Sequence, residues 1–378
     1  MRIHDVEACS QDQRCRSSAL VTWEELEHPD GLLDFEVPVK TGRIAGPSAE
    51  AFLLACFPLA VRHGERRIRI DSPVCPMLVD GLHTVHAWWT DWGLVDTEMP
   101  VIEAETRSPP FDTPRRSMAF LSGGIDSTHM LWRNRKLYRP GDPAYIEDAL
   151  VIQGFDIGKR KGRPEAGHFE MTLERLAPFA AEMNVNLVPC SSNLRHLPTE
   201  PGTWSYLHHG AALAAVAHAA VTGPAQLFLG ASFKVANMTP WGSHPLTDVQ
   251  YSSQRITLIH EGSRFSRLAK VGEIAESPVA LTSLRVCPAN APGQLNCGEC
   301  EKCIRTRLEL LASGHDHSAA FGPSAVPADL LERNLEIQSA YQRSYYEDLL
   351  APLDARGFHQ LSRIVASKLE GQRWAVAA

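Results

Sequence analysis

Short apolar runs and longer amphipathic segments alternate through the middle of the chain. The apolar runs predict buried strands at Met118–Leu121, Ala149–Gln153, Val185–Cys190, Gln226–Gly230 and Ile256–His260. The segments between them predict helices at Asp126–Lys136, Glu165–Met183, Tyr206–Val221 and Phe265–Glu276. Strands that alternate with long helices are typical of an α/β fold, so we expect a doubly wound parallel sheet.

The first part of the chain predicts an extra α/β domain, residues 1–106. Its patterns indicate strands at Leu33–Val39, Arg67–Asp71 and Val101–Thr106, and helices at Ala51–Ala60 and Pro76–Trp89. The Pro-rich segment 107–116 predicts a linker, because proline and polar clusters mark domain boundaries. We therefore expect a main domain at 117–313 and a charged helical tail at 314–378.

Net charge and the lengths of the apolar runs argue against two classes of partner, nucleic acids and membranes. The formal net charge of the 378 residues is −7, which argues against non-specific electrostatic binding to nucleic acid. No run approaches the ~20 apolar residues that span a bilayer, and the N-terminus lacks an apolar signal core. We expect a cytoplasmic protein that binds no membrane, and a homodimer is possible.

The turn after the first predicted strand of the main domain carries the clearest chemical signal. A strand, the turn Ser122-Gly123-Gly124 and a helix N-terminus together form an anion site, because backbone N–H groups converge there. Asp126 repels a bare phosphate, so its presence suggests Mg²⁺ between them. The spacing and the absence of lysine exclude a Walker A loop, and no third glycine completes a dinucleotide fingerprint.

The sequence Ser-Gly-Gly-Ile-Asp-Ser at 122–127 resembles the pyrophosphate loop of the PP-loop ATP pyrophosphatase superfamily. The resemblance implies ATP as a cofactor, Mg²⁺, adenylation of a substrate and release of pyrophosphate. It gives Ser122, Asp126 and Ser127 catalytic roles. Together with the residues that end the predicted strands, the expected ATP site comprises Leu121, Ser122, Gly123, Gly124, Asp126, Ser127, Gln153, Gly154, Gly230 and Ser232.

A second signal is a cluster of four cysteines near residue 300. Cys287, Cys297, Cys300 and Cys303 form two overlapping Cys-x2-Cys pairs and one more distant thiol. Four thiolates suit tetrahedral Zn²⁺, at ~2.3 Å per Zn–S bond. A ferredoxin-like iron–sulfur site is the alternative, although the fourth cysteine and its following residue do not fit that pattern.

The two motifs together resemble 7-cyano-7-deazaguanine synthase and its relatives, over about residues 117–313. That resemblance implies an adenine nucleotide α-hydrolase-like fold and a structural zinc. It also implies that ATP activates a carboxylate on a small, modified-base-like substrate, which becomes an amide and then a nitrile. The N-terminal domain and the tail are additions, and the family's Arg-Asn at the start of the Ala-rich helix appears here as Leu207-His208-His209.

The acceptor substrate and its binding groups are less well defined. The polar region after the fourth strand offers Lys234, His244, Asp248 and Arg255 as substrate contacts, because binding groups concentrate on such loops. An ATP-dependent ligase that forms a C–N bond is the leading hypothesis. A sulfur transferase that uses Cys190 and a non-catalytic nucleotide-binding module remain alternatives.

Overall fold

The computed structural model describes residues 1–38, 48–107, 115–157, 167–289, 293–315, 321–322 and 326–370. Within them the chain forms an α/β fold around one ten-stranded sheet. Its strands are β1 (Arg2–Gln11), β2 (Arg14–Thr22), β3 (Gly31–Pro38), β4 (Arg67–Ile70), β5 (Val101–Glu103), β6 (Arg116–Phe120), β7 (Ile146–Gln153), β8 (Asn186–Ser192), β9 (Ala225–Gly230) and β10 (Ile256–Glu261).

Helices fill most of the connections between these strands, and further helices follow β10. They are α1 (Ala49–Arg62), α2 (Pro76–Asp91), α3 (Ile125–Leu137), α4 (His168–Glu182), α5 (His209–Ala220), α6 (Pro245–Asp248), α7 (Arg267–Ile274), α8 (Pro278–Thr282), α9 (Glu301–Ala312), α10 (Ala328–Asn334), α11 (Ala340–Glu347), α12 (Leu350–Ala355) and α13 (His359–Glu370). Across the described ranges, no helix combines the length and the apolar character that a membrane span needs.

The sheet is mostly parallel, as the alternation of strands and helices predicts. Its strand order is β10-β9-β6-β7-β8-β3-β2-β1-β4-β5. The five strands from β10 to β8 are parallel neighbours, and so are β1, β4 and β5. The pairs β8–β3, β3–β2 and β2–β1 are antiparallel.

Helices cover both faces of the central strands. Along β6, Met118 and Phe120 belong to the core that includes α1, α2 and α5, whereas Ala119 lies with α3, α4 and α7 in a second core. Since side chains alternate between the faces of a strand, a continuous apolar run means burial on both sides. The α/β class and the mostly parallel sheet are therefore confirmed.

The N-terminal strands continue the same sheet. Strand β3 pairs with β8 through Phe35 opposite Ser192 and Glu36 opposite Ser191. The side chain of Asn193 reinforces this junction, since its Oδ1 accepts from the backbone N–H of Asp34 at 2.9 Å and its Nδ2 donates to the carbonyl of Leu32 at 2.7 Å. The division into domains stays a prediction. The central part of the proposed linker, 108–114, and the expected helix start at Glu165 lie outside the described residues.

The hairpin of β1 and β2 is absent from the sequence prediction. The inward positions of β2 include Cys15, Ser17 and Ala19, which are too small or too polar to produce a clear apolar alternation. The turn between the two strands places Asp12 and Gln13 at positive φ, 50° and 62°. Tight hairpin turns of this kind usually contain Asn-Gly or Asp-Gly, so Asp-Gln gives no turn signal.

The central strands create a crevice at one edge of the sheet. Strand β6 pairs with β7 on one side and with β9 on the other, so the connections from β6 and β9 leave toward opposite faces. In parallel sheets, ligands bind beyond the carboxyl ends of the strands at such a switch point. The turn at 122–124 follows β6, and Gly230 ends β9.

A substitution at the junction of β3 and β8 tests the continuity of the sheet. Asn193→Ala removes both side-chain bonds and leaves a backbone N–H and a carbonyl without their partners. We expect the free energy of unfolding, measured with urea, to fall by about 1–3 kcal/mol. The control is Asn186→Ala in β8, the strand that Asn193 follows, because the side-chain amide of Asn186 donates to the side chain of Asp148 and not to the backbone of β3. Equal losses in the two variants would contradict this role of Asn193.

Candidate functional site

The turn that follows β6 is held by its own two serines. Ser127 Oγ accepts from the backbone N–H of Ser122 at 3.2 Å and lies 3.3 Å from Ser122 Oγ. Gly123 has φ +77°, a conformation that favours glycine, and Gly124 caps α3. The turn is therefore preorganised, with two hydroxyl groups beside the N-terminus of α3.

Gly230 allows β9 to end directly against this turn. A Cβ atom at Gly230 would lie 2.7 Å from the backbone C and O atoms of Asp126. Any side chain here would push the first turn of α3 away from the end of β9. The close approach explains why glycine suits this position, which belongs to the predicted ATP site.

Two basic side chains on α7 surround Asp126. Lys270 Nζ, with its side chain only 1% exposed, lies 2.8 Å from Asp126 Oδ1 and also donates to the carbonyl of Ala231. Arg267 Nη1 lies 3.8 Å from Asp126 Oδ2. Burial alone would raise the pKa of Asp126, but the positive charges of Lys270, Arg267 and Arg305 outweigh it and hold the pKa below its usual value. The carboxylate is thus ionised, and protein cations compensate its charge.

The turn opens into a cavity of about 470 Å³ at the switch point. Of the expected ATP-site residues, the cavity is lined by Ser122, Gly124, Asp126, Ser127, Gly230 and Ser232. Leu121, Gly123, Gln153 and Gly154 are not part of this lining. Gly154 instead sits against the next strand, since a Cβ there would lie 2.1 Å from the carbonyl oxygen of Ser192.

Charged groups of both signs line the cavity, and most come from distant parts of the chain. The basic groups are Arg267, Arg285, Lys302 and Arg305, and the acidic ones are Asp126, Asp156 and Glu301. Arg285 Nη2 donates to the backbone carbonyl of Asp156 at 2.5 Å. These basic residues were not among the predicted site residues. A signal was present, because Arg267 and Lys270 share a helical face with the buried Val271 and Ile274.

Aromatic rings form another part of the wall. Trp241 lies at the centre of this cluster, with ring centroids 5.3 Å from Tyr341, 5.3 Å from Tyr206 and 5.9 Å from Phe233. Tyr341 belongs to α11 in the C-terminal tail, and the tail is fixed here because Tyr345 Oη donates to the carbonyl of Ser232 at 3.0 Å. The tail therefore completes the cavity, which no local sequence pattern indicates.

His209 is a further cavity residue that sequence reasoning left without a role. Its Nδ1 lies 3.2 Å from the carbonyl oxygen of Trp204. Because a carbonyl only accepts hydrogen bonds, Nδ1 carries the proton and Nε2 is left as an acceptor. Burial lowers the pKa of His209, so the ring is neutral. The preceding His208 is buried, and its Nε2 bonds the carbonyl of Ala55.

The four residues expected to contact the acceptor occupy different places, and none of them lines the cavity. Lys234 pairs with Asp348 at 3.2 Å and so holds α11. Asp248 is fully buried, accepts from Ser243 Oγ at 2.6 Å and lies 2.7 Å from His260 Nδ1. Since Ser243 lines the cavity, Asp248 supports the wall from behind.

His244 and Arg255 lie in two further places outside the cavity. His244 is 5% exposed, caps α6 by accepting from the N–H of Leu246, and packs on Trp92. Arg255 immediately precedes β10 and therefore lies at the amino edge of the sheet, opposite the cavity. The segment after β9 thus crosses the sheet before β10 begins, which separates Arg255 from the cavity.

The cysteine cluster has the geometry of a metal site. The Sγ atoms of Cys287, Cys297, Cys300 and Cys303 all lie within 4.8 Å of one another. Two of the Sγ–Sγ separations, 4.0 Å and 3.8 Å, are close to the ~3.8 Å edge of a tetrahedron with Zn–S bonds of ~2.3 Å. The four residues therefore fit a tetrahedral ion, and the predicted cluster is confirmed as a group that could hold a metal such as zinc.

Local hydrogen bonds shape this cluster. The backbone N–H of Cys300 points at Cys297 Sγ at 3.3 Å, and Gly298 between them has φ +77°. Asn296 Oδ1 accepts from the N–H groups of Val286 and Cys287 and so joins the first thiol to the others. Cys287 also lines the cavity, which places the cluster directly behind the cavity wall.

Cys190 lies away from these sites. Its side chain is fully buried in the core on the α1 and α5 face of the sheet, and it is not part of the cavity lining. Burial raises the pKa of its thiol to about 12, because the charged form is poorly solvated there. A working nucleophilic thiol needs the opposite shift, so this environment is that of a core residue.

Comparison with known proteins adds no relative: no family model, curated protein or solved structure matches the chain.

Metal analysis of purified variants tests the cysteine cluster. We expect about one zinc ion per chain in the wild type, since four thiolates complete a tetrahedral site. Cys300→Ser should lose most of the metal and lower the melting temperature, because binding energy of the metal becomes folding energy. Cys190→Ser is the matched control and should keep its zinc. Iron with acid-labile sulfide would contradict the zinc assignment, and full zinc in Cys300→Ser would contradict the site.

Proposed function

We propose that this protein is an ATP-dependent adenylating enzyme of the PP-loop type, which activates a carboxylate or similar carbonyl group for C–N bond formation. The observation that carries the proposal is the preorganised turn of Ser122, Gly124 and Ser127, facing a cavity at the switch point of the sheet. Such a turn offers N–H groups, hydroxyl groups and a helix N-terminus to phosphate oxygens. The cavity of about 470 Å³ falls in the size range of small-molecule sites.

The charges around the cavity support a polyphosphate ligand. Cations from α7 and α9 line the cavity along with the turn, and they would stabilise the charge on a departing pyrophosphate. Asp126 and the phosphates would hold Mg²⁺, which neutralises phosphate charge when bound. The 24% exposure of the Asp126 side chain leaves it accessible from the cavity.

The aromatic wall supports a flat organic substrate beside the nucleotide. Trp204, Trp241 and Tyr341 offer ring faces and edges, which favour planar rings. A carboxylate oxygen of this substrate attacks the α-phosphorus, and the bond from that phosphorus to the bridging oxygen breaks, so pyrophosphate leaves. Ammonia or an amine then attacks the acyl carbon. The C–N bond forms, AMP leaves and the nitrogen loses a proton.

The alternative of sulfur transfer has less support. Its expected nucleophile, Cys190, is buried and has a raised pKa, and the four other thiols of the C-terminal half lie together in the metal cluster. A non-catalytic nucleotide-binding module would need the same turn, so product analysis is required to separate it from an enzyme.

Product analysis tests the reaction type. The protein is incubated with ATP, Mg²⁺ and the low-molecular-mass fraction of a cell extract. We expect AMP and pyrophosphate, because the turn is built to hold the two terminal phosphates as one leaving group. Formation of ADP and phosphate would contradict the proposal, and binding of ATP with no turnover would favour the non-catalytic module.

Two serine variants test the turn itself. Ser127→Ala removes a hydroxyl group that faces the cavity, and we expect pyrophosphate release to fall on the order of 100-fold, as for the loss of one preorganised donor. Ser367→Ala is the control, because that hydroxyl bonds the carbonyl of Ile364 in the remote helix α13. Equal rates in both variants would show that the turn does not act on the phosphates.

A further inference from the structure

Arg305 on α9 has an incomplete set of partners although it is almost fully buried. The residue is 5% exposed and lines the cavity. Among the residues that the structure describes, its Nε and Nη1 atoms have no hydrogen-bond partner. The nearest acid is Glu301, whose Oε1 lies 3.3 Å from Nη1 as an ion pair without the geometry of a hydrogen bond. A buried donor without a partner is costly, so a ligand with suitable acceptors would bind here favourably.

The side chain is held in place rather than loosely packed. The ring of Tyr345 lies over the guanidinium, 4.6 Å from its central carbon. Glu301 is fixed in turn, because its Oε1 accepts from Tyr346 Oη at 3.0 Å. Arg305 also lies two residues beyond Cys303, so the metal cluster sets the start of α9 and the direction of this residue.

The other two cations near Asp126 differ from Arg305. Lys270 uses its ammonium group on Asp126 and the carbonyl of Ala231. Arg267 places Nε 3.0 Å from a carboxylate oxygen of Glu309 and donates from Nη2 to Thr306 Oγ1. Polar groups of the protein itself therefore already occupy most donors of these two residues. Nε and Nη1 of Arg305, by contrast, are available as hydrogen-bond donors. The positive charge of Arg305 also acts on Asp126 and helps to lower the pKa of its carboxyl group.

We propose that Arg305 binds the terminal phosphates of the nucleotide and retains the pyrophosphate as it leaves. The inference rests on the proposed function and adds the group that receives the leaving charge. The planar fork of N–H donors in arginine matches pairs of phosphate oxygens. As the bond at the α-phosphorus breaks, its electron pair goes to the pyrophosphate oxygen, and Arg305 donates hydrogen bonds to that group without transferring a proton.

Calorimetric titration with inorganic pyrophosphate and Mg²⁺ tests this role. Arg305→Met should weaken pyrophosphate binding about 10- to 100-fold, the range for loss of charged hydrogen bonds. Arg305→Lys keeps the charge but lacks the fork, so its affinity should fall between those two proteins. Arg343→Met is the charge-matched control, since Arg343 lies on α11, pairs with Glu347 and does not line the cavity.

The outcomes separate the two claims. If the wild type and Arg305→Met bind pyrophosphate equally, the role of Arg305 is wrong and the proposed function stands. If the wild type binds neither pyrophosphate nor ATP, both are wrong. A parallel titration with benzoate tests binding of the other anion in the reaction, the carboxylate substrate. If Arg305→Met loses binding of benzoate but not of pyrophosphate, the residue binds the carboxylate and the proposal is overturned. Zinc content and melting temperature, measured for each variant, verify the fold. If Arg305→Met is unfolded, the pyrophosphate affinity of Arg305→Lys tests the role of Arg305 instead.

Discussion

The charge pair between Asp126 and Lys270 is the constraint on which the candidate site depends. Lys270 is buried on α7, Asp126 opens α3, and the lysine also bonds the carbonyl of Ala231 just after β9. One ammonium group thus joins three elements around the carboxyl edge of the sheet. Removing either charge would leave the other poorly solvated, which is the costly way to break a buried pair. The pair therefore favours one arrangement of the turn and the helix behind it.

The rest of the site extends from this pair in two directions. Arg267 links Asp126 to Glu309 on α9, and α9 begins immediately after Cys300. The same helix presents Arg305 to the cavity, while Glu301 bonds the C-terminal tail through Tyr346. A metal in the cysteine cluster would therefore stabilise more than its own loop. It would fix the helix that supplies the cavity with charge and anchors α11.

Local patterns predicted the centre of the molecule well. The strands β6 to β10 appear as apolar runs because both of their faces are buried. The cysteine spacing predicted a cluster, and the fold brings the four thiols together. The hairpin of β1 and β2 was missed because its inward residues are small and its turn has the unusual sequence Asp12-Gln13. Tyr341, Trp204 and His209 could not be placed from sequence, since only tertiary packing brings their two distant segments to one cavity.

A crystal structure with α,β-methylene-ATP and Mg²⁺ tests the central claim most directly, because this analogue replaces the oxygen of the bond that the proposed reaction breaks with a methylene group and is therefore not cleaved there. The account predicts that the two terminal phosphates lie on the turn of Ser122 and Ser127, with Arg305 in contact on the other side of the cavity. Electron density for the triphosphate at any other place, or a cavity without nucleotide at saturating analogue, would contradict it.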